Sequence, residues 1–279
     1  MITRYLRFPG GKSKALTFSY DDGVEQDIRL IDIFREHGMK GTFNLNSGLF
    51  GQQDKHRRLS EEEAKRVYTP DVCEVACHGA HHGTLAACDT AVACLEVLDD
   101  RRALESLFDC QIHGMAYANG SVNDEVESLC RSAGIWYART VVSTGDFDLP
   151  ENWLRMPATC HHNDKNLMEL GEKFLALQAI KNPKMFTVWG HSYQFDDRDN
   201  WNVMERFAEQ MGGKEDIWYA TNMELYLAWR DYQRLESSAD GAIVHNPNPR
   251  SVWIGEQNGT CYEIKAGQTC GCKGENIGD

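Results

Sequence analysis

Two short clusters in the sequence hold residues able to do chemistry. Asp21 and Asp22 stand side by side in Ser19-Tyr20-Asp21-Asp22-Gly23, and His78 and His82 have HxxxH spacing in His78-Gly79-Ala80-His81-His82. Adjacent carboxylates at the end of a buried strand repel each other, so the pair needs a reason to persist. Two imidazoles and one carboxylate form a facial set of three ligands for a divalent metal, with the remaining positions open to water and substrate. The HxxxH spacing puts both rings on one side of a turn if that turn is helical, and His81 then points elsewhere. Trp189-Gly190-His191 and Arg139 each follow another strand-like run. Taken singly, Asp22-Gly23 is also a turn signal and HxxxH also suits a solvated helix face. Their joint occurrence at the ends of nearby strands favours chemistry.

The elements that must position these residues alternate along the chain. Strand patterns cover Leu16–Tyr20, Gly41–Asn46, Val72–Cys77, His113–Ala118, Ile135–Thr140, Met185–Trp189 and Asp216–Ala220. Helical patterns cover Glu25–His37 with Gly38 as the stop, Ser60 to Tyr68 with a capping box at Ser60-Glu61-Glu62-Glu63, and a run from Asp89 to Leu107. Others follow from Ser121 to Ala133, Leu167–Ile180, Trp201–Met211, and from Asn222 to Leu235. Alternating strands and helices predict a parallel sheet with crossover helices, and closure into a barrel removes its edges. In such folds active residues sit at C-terminal strand ends. Short alternating runs at Ala242–His245, Ser251–Ile254 and Thr260–Ile264 predict a small C-terminal β-hairpin appendage. The expected division is therefore 1–237 and 238–279.

The net charge of −13 over 279 residues argues against nucleic-acid and anionic-membrane partners. No run of 18 apolar residues occurs, and MITRYLRFPGGKSK has no apolar core of a signal segment, so a soluble, cytoplasmic chain is expected. The ten cysteines are scattered over a chain too long to be a disulfide scaffold. Cys270-Gly271-Cys272, with Cys261 nearby, is a weak metal-site pattern.

Together, SYDDG and HGAHH make the chain resemble the NodB-homology polysaccharide deacetylases, carbohydrate esterase family four, over about Ala15 to Leu227. That family pairs a [TS][FY]DDG motif with an H[ST]xxH motif on a distorted (β/α) barrel, often with seven strands. The resemblance implies an α/β fold of the (β/α)7 type and a divalent metal, Zn by ligand type, with Co, Ni, Fe or Mn as alternatives. It implies Asp22, His78 and His82 as metal ligands, Asp21 as general base and His191, in VWGH, as general acid. The implied substrate is an N- or O-acetylated carbohydrate. An oxyanion donor is expected from a backbone N–H in the loop after Tyr117.

The chain departs from the family in its third motif. The expected arginine reads Ala116 and the expected proline Ala118, with Gly120 retained. Arg139 is the best local substitute for orienting the base, and Arg155 the second. For the group that tunes the late histidine, Asp146 and Asp148 are candidates, with Asp148 favoured. His161 and His162, Tyr193, Trp153 and Tyr117 are candidate substrate contacts, and Phe195 and Trp201 further aromatics near loop ends. The tandem histidines also suit a second metal site or an exposed loop. Competing functions are a NodB-like amidohydrolase on a small cyclic amide or imide, whose members often lose the metal ligands, and a non-catalytic sugar-binding barrel that kept its metal.

Overall fold

The structure is a computed structural model that describes residues 3–257, 259–271 and 274–276. Among those residues fifteen strands, β1 to β15 in chain order, form three sheets. The largest is parallel and contains β2 (Lys14–Asp21), β3 (Gly41–Leu45), β4 (Cys73–Cys77), β5 (Gly114–Ala116), β6 (Tyr137–Ser143), β7 (Met156–Ala158), β8 (Cys160–His161), β9 (Lys184–Gly190) and β10 (Ile217–Tyr219). Its order is β7-β6-β5-β4-β3-β2-β9-β8. The two ends of that order are consecutive in the chain, separated only by Thr159. Thr159 N–H donates to the Thr187 carbonyl on β9 (2.9 Å), while its own carbonyl accepts from Gly145 N–H just beyond β6 (2.9 Å). One kinked segment thus bonds to both edges, and pairing runs around a ring of seven members: β2, β3, β4, β5, β6, the β7–β8 segment and β9. This is a distorted (β/α)7 barrel.

The seventh member is not the one the sequence pattern suggests. Ile217–Tyr219 pairs only with Lys14–Leu16 of β2, below the point where β3 takes over that edge at Phe18. Met156–His161, which holds Pro157 and is short, supplies the closing strand instead. The other strands lie within two or three residues of their expected limits.

Helices α1 (Asp27–Glu36), α2 (Glu61–Val67), α3 (Thr90–Phe108), α4 (Asp124–Ser132), α5 (Leu167–Ala176), α6 (Tyr193–Asp197), α7 (Trp201–Met211) and α8 (Asn222–Gln233) connect the strands. In α1, Leu30, Ile31 and Phe34 recur at helical spacing and are buried, with Phe34 against Phe18. The capping box at Ser60 and Glu63 forms as expected. The caps of α4 and α8 move by one or two residues: Asn123, not Ser121, accepts from Val126 N–H, and Thr221, not Asn222, closes a capping box with Glu224. Helix α5 stops at Ala176, short of Ile180.

The C-terminal strands β13 (Val252–Glu256) and β14 (Cys261–Ile264) form the expected hairpin. Its other edge pairs with β1 (Arg4–Arg7), so the two ends of the described chain share one sheet. The third sheet joins β11 (Glu236–Ser237), β12 (Val244–His245) and β15 (Thr269–Cys270). Cys272 lies outside the described residues.

At the strand starts, opposite Asp21, the Glu74 carboxylate accepts from Tyr137 O–H (2.6 Å), Thr42 O–H (2.8 Å) and Met223 N–H (2.9 Å). Tyr137 lies flat against Gly114, where any Cβ would run into its hydroxyl. Gly114→Ala is therefore expected to destabilise the fold by about 1–3 kcal/mol through overpacking. Urea denaturation reads this, and an unchanged midpoint would contradict such tight packing at the barrel floor.

Candidate active site and metal centre

Strand β2 is buried along its whole length and delivers Asp21 at its last position. In a continuing strand Asp22 would point to the opposite face. Instead Asp22 takes a left-handed conformation, φ 87°, followed by Gly23 at φ 67°. That turn brings both carboxylates to one side: His191 Nε2 lies 3.9 Å from Asp21 Oδ2 and 3.9 Å from Asp22 Oδ2. The turn is held by Asp22 N–H donating to the Asn44 carbonyl (3.0 Å) and by Arg58, whose guanidinium donates to the Asp22 carbonyl and to Asp22 Oδ1 (3.2 Å).

His78 and His82 do not lie on a helix. They sit on an irregular turn after β4, with Gly79 at φ 79° and His82 at φ 60°. Glu96 of α3 holds this turn by accepting from His81 N–H (2.9 Å) and Gly83 N–H (3.3 Å). The buried Asp100 carboxylate accepts from His78 N–H (2.8 Å) and Ser47 N–H (2.8 Å). The His78 ring donates through Nδ1 to the Ala116 carbonyl (2.8 Å), because a carbonyl can only accept. Burial pushes the His78 pKa down, so the neutral ring keeps its Nε2 lone pair free. That Nε2 lies 4.0 Å from Asp22 Oδ1, and His82 Nε2 lies 3.7 Å from the same oxygen. The ligand atoms of Asp22, His78 and His82 all fall within 4.8 Å of one another, the only such group of three among the described residues. Two imidazole nitrogens and a carboxylate oxygen, with one tautomer fixed from behind, fit a divalent metal of the zinc type.

Asp21 is ringed by donors. Arg139 Nη2 lies 2.5 Å from each of its oxygens, and Asn44 Nδ2 donates to Oδ1 (2.8 Å). Burial works against the charge, but the Arg139 guanidinium overrides it and holds the carboxyl well below the usual carboxylate range. Arg139 is fully buried, donates through Nε to Ser19 Oγ (3.0 Å) and lies over the Trp189 ring at 4.7 Å. Arg139 is the register partner of Ala116 across β5 and β6. The guanidinium thus enters from the neighbouring strand at the level where the family's arginine is expected.

Other expected site residues lie elsewhere. Asp148 pairs with Lys184 on the surface, its side chain 70% exposed, and does not serve His191, whose buried Nδ1 has no hydrogen-bond partner among the described residues. Asp146 is exposed. Arg155 pairs with Asp124 and Glu127 on the outside. Trp153 belongs to the core, packed on Tyr226 and Trp229, and Phe195 and Trp201 pack against each other in a tilted pair at 4.8 Å. The Tyr117 side chain is buried and donates to the Leu154 carbonyl (2.9 Å). His162 is fully buried between Tyr20 and Phe195 rather than in an exposed loop. Only His161 and Tyr193 remain beside His191, with ring centres 6.5 Å and 5.2 Å away. Asn163 N–H donates to His161 Nδ1 (3.0 Å), and burial drops the His161 pKa to about 4, so its proton sits on Nε2.

Sequence reasoning passed over Arg58, Asn44, Asn46, Asp100 and Asp27. A signal existed for Asn44, a polar residue inside a wholly buried strand. Asp27 is likewise buried at the start of α1 and accepts from Tyr68 O–H (2.7 Å) and Ser192 O–H (2.5 Å).

Residues 4–138 match the family model for polysaccharide deacetylase. That stretch, just under half of the chain, is thus similar to polysaccharide deacetylases. No curated protein sequence matches it. Among solved structures, it is similar to a Mycobacterium smegmatis protein described as a polysaccharide deacetylase, with TM-score 0.62, 17% identity, and coverage of 82% of this chain and 94% of that one. An allantoinase gives TM-score 0.62 at 14% identity over 80% of this chain and 92% of the other. A family 4 carbohydrate esterase from Streptomyces lividans, solved with acetate, gives 0.51 at 14% over 74% and 91%. At these identities the likeness is one of fold. No helix among the described residues is long and apolar enough to cross a membrane.

Two measurements check the electrostatics of the site. Arg139→Met leaves Asp21 buried without its cation and is expected to cost about 3–5 kcal/mol of stability at neutral pH in urea denaturation; a loss under 1 kcal/mol would contradict the pairing. Asp27 behaves oppositely: burial raises its pKa to about 7, above the ~4 of an exposed aspartate. The folded state then binds the extra proton between those values, so the stability Asp27 lends is lost as pH rises through the window. Relative to Asp27→Asn, the native chain should lose stability between pH 5 and 7 by up to about 1.4 kcal/mol per pH unit, and parallel profiles would contradict the raised value.

Proposed function

We propose that this chain is a metal-dependent deacetylase that removes acetyl groups from an N- or O-acetylated carbohydrate. The observation that carries the reading is the convergence of Asp22, His78 and His82 beside an ionised Asp21 and a partly exposed His191.

Asp22, His78 and His82 would hold the cation, Zn by ligand type, with Co, Ni, Fe or Mn also suited. Such an ion supplies Lewis-acid polarisation of the acetyl carbonyl and lowers the pKa of water in the site. Asp21, kept ionised by Arg139, serves as the base that takes the water proton. A low carboxylate pKa limits its thermodynamic basicity, so this role requires that water be acidified beside it. His191 has Nε2 facing the carboxylates and donates a proton to the leaving amine or alkoxide. A backbone N–H after Tyr117 would aid the oxyanion. His161, with a fixed Nε2 proton, and Tyr193 are the two candidate substrate contacts left beside His191.

The amidohydrolase reading draws support from the fold likeness to an allantoinase. The complete ligand set favours the deacetylase. The deciding assay is acetate release by the metal-loaded protein over chitooligosaccharides, peptidoglycan fragments and acetylated xylan. Activity is expected on at least one, lost on chelation, with Asp22→Ala losing metal and activity together. Asp21→Asn should keep the metal and lower kcat by at least about 100-fold. Turnover that survives complete chelation would overturn the mechanism. Metal binding with no hydrolysis of any acetylated sugar or cyclic amide would favour a binding barrel.

A further inference from the structure

Arg58 is a charged group of the centre that lies in neither motif. It comes from the polar loop Gly51–Leu59, its side chain is 15% exposed, and its planar fork meets three acceptors of the metal centre. One arm donates to the Asp22 carbonyl and to Asn46 Oδ1 (2.9 Å), the other to Asp22 Oδ1 (3.2 Å). Asn46 in turn donates from Nδ2 to the carbonyls of His78 (2.9 Å) and Gly79 (2.7 Å). Arg58 thus touches the carboxylate ligand directly and the histidine turn through one side chain.

The charge count follows from these contacts. Asp21 and Asp22 carry two negative charges. Arg139 on Asp21 and Arg58 on Asp22 carry two positive ones. The centre is formally neutral before any cation arrives. A divalent ion entering at Asp22 meets a guanidinium already bound to the same oxygen, and a like charge a few ångströms away in a partly buried site weakens its binding.

We propose that Arg58 is a standing counter-charge on the ligand Asp22, holding that carboxylate in place without the ion, at the expense of affinity for the ion. The inference rests on the metal-centre reading above. It makes the centre a loosely held, exchangeable one whose bound cation stays more strongly electron-withdrawing.

The test must separate the charge of Arg58 from its grip on the backbone. Arg58→Gln and Arg58→Lys both lose the fork, and only the lysine keeps the charge. Zn²⁺ and Co²⁺ dissociation constants are measured on metal-free protein by competition with a chromophoric chelator at fixed ionic strength, with circular dichroism to check folding. The glutamine variant is expected to bind at least tenfold more tightly than the lysine variant, and the gap should narrow in high salt. Arg58→Met, matched in volume, gives the same comparison if the glutamine variant does not fold. Equal constants within threefold, or tighter binding by the lysine variant, would overturn the counter-charge. If the native chain itself binds neither ion, the metal-centre reading fails and this inference with it.

Discussion

The adjacency of Asp21 and Asp22 governs the rest of the structure. Two ionised carboxylates one residue apart, both nearly buried, would cost several kcal/mol unless each were compensated. Each has its own guanidinium: Arg139 across the barrel on Asp21, and Arg58 from a loop on Asp22. The first can reach only if β6 stands beside β5 in one register and the ring is closed enough to bring β6 opposite β2. The second can reach only if the Gly51–Leu59 loop folds back, which the Gly51 N–H to Leu59 carbonyl bond and the Leu59 N–H to Gly23 carbonyl bond enforce, each at 2.9–3.0 Å. Barrel closure and loop course are therefore preconditions for neutralising the two neighbouring charges.

Backbone conformation does as much as charge. A strand alternates its side chains, so consecutive aspartates cannot face one substrate unless the strand is broken between them. The left-handed Asp22 breaks it, and a second left-handed residue, His82, aims its ring back at the same oxygen. Non-glycine residues in that region cost about 1–3 kcal/mol each. Of the five non-glycine residues at positive φ among the described residues, these two are candidate ligands, and both are gripped by neighbours from other elements, Arg58 at one and the Glu96-held turn at the other.

Much of the barrel was legible because its strands and helices carry plain periodicity: the Leu30, Ile31 and Phe34 face of α1 and the apolar run of β2 need no tertiary information. The grouping of Asp22, His78 and His82 was legible because the three residues fall in two compact motifs. The closing strand Met156–His161 was not, since it is short, holds a proline and gains its identity only from two partners far apart in sequence. Asp148 misled for a related reason. It follows β6 closely in the chain, but the chain leaves the barrel there and carries the carboxylate to Lys184 on the surface. Arg58 lies in a loop with no periodicity, where a basic residue reads as solvated.

Arg139 shows how a neighbouring strand can bring a side chain to the same point in the barrel. Ala116 and Arg139 are register partners on parallel strands, so their side chains leave the sheet on the same face at the same height. An arginine at either position could meet Asp21, and arginines at both would crowd two guanidiniums on one carboxylate. A small residue at 116 is thus the complement of a large one at 139. Position 116 keeps a backbone task that any residue can perform, offering its carbonyl to His78 Nδ1. The arginine gains at 139 a face against Trp189, two residues before His191. The guanidinium that pairs with Asp21 is thereby packed against the strand that leads to His191.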